Sequence, residues 1–331
     1  MVYVIAEAGS NYNGSVEMAY RLNEAAREAG AHCIKYQIIN PDELYLMGDY
    51  GYGKYRSTDV LKIRELNVLD DDDWWKIRNH ALELGLDFSA SVFDDTGLEL
   101  LTAMKPPFVK IASTDLNNHL FIRRVARSGL KVLLSTGMSS LAEIHESVEV
   151  LFDSGSSFED LVIMHCVSSY PVGRSATRIG FLEKIRNLSA EVGFSDHSTG
   201  AESAIAALAL GATWFEKHFT IDKSLPGLDH AHSLEPLEMK EYVSTIIDMQ
   251  MSLSTAVPKV SSEEAETAKR ARRGVYARTD ILKGGIIKET DLRIVRPPTH
   301  LAANQVNLVL GKRALRDIPA GTPMQENIVG D

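Results

Sequence analysis

Two histidines, His197 and His218, each stand just past a short apolar run, in Glu191-Val192-Gly193-Phe194-Ser195-Asp196-His197 and Thr213-Trp214-Phe215-Glu216-Lys217-His218. If those runs are neighbouring strands, their ends lie about 5 Å apart. Two neutral imidazoles so placed can hold one divalent metal and leave positions open for a substrate. Two lysines, Lys35 and Lys110, interrupt other apolar runs. A buried ammonium is costly unless it meets a carboxylate or an anion. With the hydroxyls of Ser113, Ser135 and Ser195 these lysines would form a phosphate cradle. Salt bridges to Glu7 or Glu216 would satisfy them equally, and a Schiff-base lysine of an aldolase is a third use of the same group.

The elements that must position these groups follow from the hydropathy pattern. Short apolar runs occur at Val2–Ala6, Cys33–Gln37, Phe88–Val92, Phe108–Ile111, Val132–Leu134, Leu161–Met164, Glu191–Phe194 and Thr213–Phe215. Between them lie amphipathic stretches, among them 15–30, 139–152, 200–211 and 235–252. Strand–helix alternation with near-continuous apolar strands implies a parallel sheet covered on both faces. Eight such units in about 250 residues is the count of an α/β TIM (β/α)8 barrel. The competing doubly wound sheet carries a GxGxxG turn after its first strand, and Gly9-Ser10-Asn11-Tyr12-Asn13-Gly14 has the wrong spacing. In a TIM barrel the reactive groups sit at the C-terminal strand ends. Every one of the eight runs ends in polar residues. They include Glu7 with Asn11 and Asn13, Gln37, Ser89 and Ser91, Ser168 with Tyr170, and Glu216.

The connection from Asn40 to Asp70 has no clear apolar period and is rich in Tyr and Gly (Tyr45, Tyr50, Gly51, Tyr52, Gly53, Tyr55). It reads as a binding loop or a surface excursion. Asp70–Asp73 before Trp74-Trp75 reads as a charged helix N-terminus. These signals divide the chain into a barrel over 1–252, a polar linker over 253–273 that includes Pro258, and a small β-rich unit over 274–331. In that last unit TDILKGGIIKETDL and RDIPAGTPMQENI look like two copies of one pattern, as in a pseudo-symmetric duplication.

The chain has 331 residues and a net charge of −10. That balance argues against nucleic acid or an anionic membrane as the main partner, because phosphate backbones need a basic footprint. Two cysteines, Cys33 and Cys166, exclude a disulfide framework and suggest a reducing compartment. The apolar run at the N-terminus lacks a preceding basic region, and no segment has the length of a membrane span. A soluble cytoplasmic protein is the expectation.

Taken in order, IAEAGSNYNGS, IKYQ, KIAS, LSTGM, HCVSSYP, VGFSDHSTG and LGATWFEKHFTIDKSLPGLDHAHSLEP resemble the sialic acid synthase family, including its legionaminate and pseudaminate relatives. The last 58 or so residues resemble that family's antifreeze-like (SAF) domain. The resemblance implies condensation of phosphoenolpyruvate with an N-acylated mannosamine-type sugar, N-acetylneuraminate synthase being the first expectation. It implies a divalent metal, typically Mn²⁺ with Mg²⁺ or Co²⁺ as alternatives, on His197 and His218. Phosphoenolpyruvate would meet Lys35, Gln37, Lys110, Ser113, Ser135, Ser168 and Ser195. Glu7 would be the acid/base, Tyr170 and Asp229 would face the sugar, and Arg296 would reach its N-acyl group from the partner subunit of a domain-swapped homodimer. Arg296 is followed by Pro297-Pro298-Thr299-His300 where the resemblance leads one to expect a glycine-bearing turn. His232, in HAHS, reads as shaping its loop rather than as a third ligand.

Overall fold

A computed structural model of the chain describes residues 1–46, 48, 51–52, 55–254 and 259–331. Tyr50 and Gly53 of the Tyr-rich stretch, and Pro258, lie outside the described residues. The chain forms two compact units, Met1–Ser254 and Thr255–Asp331.

In the first unit eight parallel strands close into a barrel: β1 Tyr3–Gly9, β2 Cys33–Ile38, β3 Asp87–Val92, β4 Val109–Ile111, β5 Val132–Ser135, β6 Leu161–Cys166, β7 Glu191–Asp196 and β8 Trp214–His218. Strand β1 pairs with β8 on one side and β2 on the other, which sets Glu7 level with both His218 and Lys35. Side chains two residues apart share a face of a strand. The barrel interior therefore changes character at a fixed height. Its floor is Ile5, Cys33, Phe108, Leu133, Val162, Met164 and Trp214. Two residues further along the same strands stand Glu7, Lys35, Lys110, Ser135, Cys166 and Glu216. Gly193 keeps this interior passable: a Cβ there would lie 2.3 Å from Met164 Sδ and 2.7 Å from the backbone O of Trp214. The alternate residues face outward and pack under the helices in the main apolar core, with Val4, Ile34, Ile111, Leu134, Ile163 and Phe215 among them.

Helices form where the spacing predicts them, with caps that the sequence supplies. Val16–Glu28 starts at Ser15, whose hydroxyl accepts from the Met18 N–H. Asp71–Glu83 starts at Asp70, which accepts from Asp73 N–H, so the acidic run sits at a helix N-terminus. Leu141–Asp153 opens with a capping box between Ser140 and Glu143. Two segments differ from expectation. The aperiodic stretch after β2 holds the short helix Pro41–Leu44, a hairpin of Gly51–Tyr52 with Tyr55–Arg56, and the helix Ser57–Glu65. The segment read as linker contains the helix Ser262–Ala271, capped by Ser261 and Glu264. Its sides are polar all round, so no apolar period could announce it.

One outward-facing ion pair supports the strand ends. Lys217 Nζ lies 3.0 Å from Asp196 Oδ2, both buried, and also donates to the Ser198 carbonyl. The pair ties the chain just past β7 to β8 behind the two histidines.

In the second unit the two sequence copies pair with each other. Ile281 and Ile318 exchange backbone hydrogen bonds, both at 2.9 Å. Asp317 Oδ1 accepts from the Lys283 N–H while Asp280 Oδ1 accepts from the Ala320 N–H. Each copy closes the other's turn around a core of Val275, Ile287, Val309, Ile318 and Met324.

Candidate active site

The interior polar layer opens into a cavity of about 390 Å³. Its walls include Glu7, Lys35, Gln37, Lys110, Ser113, Ser135, Ser168, Tyr170, Ser195, His197, His218 and Asp229. Arg296 belongs to the second unit, where its Nε donates to the Ala271 carbonyl at 2.5 Å.

The two lysines are placed differently. Lys35 Nζ stands 2.5 Å from Glu7 Oε2 and 3.4 Å from Glu216 Oε2, and donates to Ser91 Oγ at 2.9 Å. The salt bridges that the sequence left open are therefore formed. Lys110 Nζ donates to Ser135 Oγ at 2.6 Å and stays 3.8 Å from Glu216 Oε1. Ser135 and Ser195 hydroxyls are 3.3 Å apart, and Ser113 Oγ accepts from the Gly137 N–H at 3.0 Å. Gly137 is pressed against this group, since a Cβ there would come within 2.3 Å of Ser168 Oγ. Burial drives the Lys110 pKa down and Lys35 adds to the fall, against the pull of Glu216. For Lys35 burial acts the same way, but Glu216 and Glu7 outweigh it and hold the pKa above the ordinary value. Of the two lysines, Lys110 is thus the one with charge left for a ligand.

The carboxylates divide in the same manner. Burial pushes Glu7 up to about 7, with Lys35 opposing and Glu216 adding to the rise. Burial would raise Glu216 too, but Lys110 and Lys35 outweigh it and hold it at about 2. Two carboxylates sharing one ammonium cannot both ionise freely, so the pair titrates as a unit. Between about pH 4.5 and 7 the folded chain holds a proton on Glu7 that the unfolded chain has lost. Glu7 therefore contributes stability that is lost as pH rises through that window, while His197 and His218, held neutral in the fold, act in the opposite sense below about pH 6.5. Thermal melts of the metal-free wild type and of Glu7→Gln from pH 5 to 7.5 are expected to differ in slope, the variant gaining stability relative to wild type as pH rises; parallel curves would place the titration elsewhere.

A set of metal donors lies beside this pair. One ligand atom from each of His218, Asp229 and His232 can be chosen so that all lie within 4.8 Å of one another. The His197 and His218 ring centres are 5.5 Å apart, with Tyr170 packed on His197 at 4.1 Å and on His232 at 4.9 Å. The geometry puts His232 into a donor group that the sequence reading left it out of. His197 Nδ1 lies 2.8 Å from the Val167 carbonyl, which fixes Nδ1 as the donor and leaves Nε2 as a lone pair. Burial, reinforced by His218, lowers His197 to about 3; burial lowers His218 to about 4 against the pull of Asp229. Both rings are neutral at pH 7, the state a cation requires. His218 Nδ1 and His232 Nε2 are buried without hydrogen-bond partners. Orphaned imidazole nitrogens beside a carboxylate fit a divalent ion of borderline softness. The loop bearing Asp229 and His232 is pinned to β1 by Asn11, whose amide donates to the Phe219 carbonyl and to Ser233 Oγ at 2.9 and 3.0 Å. Asn13 adds a bond to the Pro226 carbonyl.

Among the lining residues that the sequence left without a ligand role are Glu216, Ser91 and Arg64. Glu216 and Ser91 were legible there as polar strand ends, Glu216 also as a salt-bridge partner, and the structure brings both onto Lys35. Arg64, from the helix Ser57–Glu65, reaches the same wall, and nothing in its aperiodic segment pointed to it.

The fold and this cavity define a TIM-barrel enzyme with a lysine-and-hydroxyl pocket beside a candidate divalent-metal site. The chain belongs to the NeuB family, the nonulosonic acid synthases: residues 22–257 match that family and residues 272–327 match the SAF domain. It is 32% identical to the N,N'-diacetyllegionaminic acid synthase of Legionella pneumophila, over 97% of this chain and 93% of the relative. It is 32% identical to a pseudaminic acid synthase of Campylobacter jejuni, over 98% of this chain and 96% of that one. The solved N-acetylneuraminic acid synthetase of Leptospira borgpetersenii superposes with a TM-score of 0.71 at 29% identity, covering 80% of this chain and 90% of that chain. No helix among the described residues is long and apolar enough to cross a membrane.

Proposed function

We propose that the protein condenses phosphoenolpyruvate with the open-chain aldehyde of an N-acylmannosamine-type sugar, giving a nine-carbon 2-keto acid and inorganic phosphate. The observation that carries this reading is the sharing of one cavity by an incompletely neutralised ammonium among hydroxyls and a neutral imidazole–carboxylate donor set. Lys110, Ser113, Ser135 and Ser195 would hold phosphoenolpyruvate, with Lys35, Gln37 and Ser168 flanking it. Tyr170 and Asp229 would face the sugar. His197 and His218, with Asp229 and His232 alongside, would hold a divalent ion, Mn²⁺ in the first instance, which supplies Lewis-acid polarisation of the aldehyde.

The chemistry balances around Glu7. C3 of phosphoenolpyruvate bonds to the aldehyde carbon, and Glu7, held near neutrality, gives its proton to the developing alkoxide. Water adds to the oxocarbenium left at C2, and the Glu7 carboxylate takes up the proton that water releases. The tetrahedral intermediate collapses by C–O cleavage, its C2 hydroxyl proton passing to the departing phosphate as the 2-keto group forms, and the phosphate leaves into the hydroxyl cradle. A Schiff-base aldolase acting through Lys35 fits less well, because Lys35 is held as an ammonium by two carboxylates, and borohydride trapping with a keto acid tests the same role for Lys110. The family membership also disfavours it.

For the acceptor we take N-acetylmannosamine first, on the likeness to the N-acetylneuraminic acid synthetase structure. The legionaminic and pseudaminic acid synthases at comparable identity support 2,4-diacetamido-dideoxyhexoses as the second reading. Arg296 would approach the acceptor from the partner subunit of a domain-swapped homodimer. Phosphate release is the test, measured with phosphoenolpyruvate, Mn²⁺ and a panel of N-acetylmannosamine, its 6-phosphate and the diacetamido sugars. Turnover with one acyl sugar supports the reading, and no release with any of them overturns it.

A further inference from the structure

Among the cations of the cavity, Arg64 has a job that the site as described leaves open. Lys35 and Lys110 each face a carboxylate. Arg64 makes no ion pair among the described residues. Its one hydrogen bond there is a long one, from Nη1 to Gln37 Oε1 at 3.4 Å, and its Nε is buried without a partner. A guanidinium offers five donors and no acceptor, and a ligand that brings an acceptor can satisfy the unpartnered Nε. A buried donor left unpaired is costly, and the cost disappears when that ligand binds.

Position decides which ligand. The hydroxyls and the ammonium that suit phosphoenolpyruvate come from β4, β5 and β7. Arg64 comes from the excursion after β2 and meets the site at its edge, through Gln37, whose Nε2 donates to Glu7 Oε1 at 3.2 Å. Its positive charge is also felt at Asp229, on the sugar side. Arg64 is thus two hydrogen-bond steps from the group that protonates the aldehyde oxygen. The substituent next to the aldehyde carbon of the proposed acceptor is its acylamino group, and the acyl oxygen is the strongest neutral acceptor on that sugar.

We infer that Arg64 is a specificity-determining residue that donates to the acyl oxygen of the acceptor from within the barrel itself. The inference rests on the proposed condensation reaction. It gives the long excursion after β2 a purpose: the helix Ser57–Glu65 delivers a guanidinium that none of the eight strands carries at its end.

The test compares wild type, Arg64→Ala and Arg64→Lys, each saturated with Mn²⁺. KM is measured for N-acetylmannosamine and for phosphoenolpyruvate, and mannose, which lacks the acyl group, is measured as a competitor. Loss of a charge-assisted hydrogen bond is expected to raise KM for the acyl sugar about 10- to 100-fold in Arg64→Ala. The mannose inhibition constant and the KM for phosphoenolpyruvate should stay within about 2-fold, and Arg64→Lys should recover part of the loss. Equal weakening of mannose and the acyl sugar would reduce Arg64 to a support for the wall and overturn the inference. A change confined to phosphoenolpyruvate, or no change at all, would overturn it as well. Failure of the wild type to turn over any acyl sugar is a different result, because it sinks the condensation reading before the variants are compared.

Discussion

His218→Ala is expected to lose tight divalent-metal binding and essentially all turnover while the barrel still folds. The residue stands at the end of β8, level with Glu7, and its Nδ1 is a buried nitrogen with no protein partner. Removing it takes a neutral donor out of the group it forms with Asp229 and His232. Substitutions of residues that only orient a ligand cost about 10–100-fold in affinity or activity, so loss of a ligand itself should exceed that range. Alanine leaves no buried charge behind, and the imidazole carries no hydrogen bond at Nδ1 that the fold depends on. Titration of Mn²⁺ by electron paramagnetic resonance reads the affinity without needing turnover, and circular dichroism reads the fold. Wild-type Mn²⁺ affinity in the variant would remove His218 from the donor set. His232→Ala in the same titration separates a true third donor from a residue that only shapes its loop.

Lys110→Ala should cost about 10²–10³-fold in kcat/KM for phosphoenolpyruvate, the range seen when one preorganised charge-stabilising donor is deleted. Two effects combine. The incoming anion loses the less compensated of the two lysines, and Ser135 loses the ammonium that donates to it at 2.6 Å. Glu216 also loses one of the two ammonium groups that keep it ionised, so its carboxyl should climb from about 2. The acid limb of the pH–rate profile is then expected to move upward, which a loss of packing alone would not do. Lys110→Arg should recover little, because a planar fork cannot occupy the space of a compact ammonium among hydroxyls. Should the loss appear in the sugar KM alone, the cradle has been assigned to the wrong substrate.

How much of this was legible depends on the period of the chain. The barrel could be read because its strands are short, near-continuous apolar runs separated by helical stretches, and a charged group inside such a run announces itself. Lys35, Lys110, Glu7 and the paired histidines were visible for that reason. The register that sets Glu7 between His218 and Lys35 was not, because pairing is decided by closure of the whole sheet. His232 looked like a loop residue because its partners, His218 and Asp229, meet it only through the fold of the 219–234 loop. Arg64 was invisible: its segment has no period, and a solvent-side arginine has the same letter as a buried one. The helix Ser262–Ala271 escaped notice because a helix with no buried face leaves no pattern.

The reciprocal bonds of the second unit carry a consequence for how that part of the chain gains and loses structure. Asp280 finishes a turn in the second copy and Asp317 finishes one in the first, while Ile281 and Ile318 share one pair of backbone bonds. Neither half has a complete set of partners alone. The two copies must therefore order together and melt together as one cooperative piece. A stop or a protease cut anywhere between residues 281 and 318 should cost the whole unit, not a proportionate share of it. A duplication that looks like redundancy in the sequence is, in the folded chain, mutual dependence.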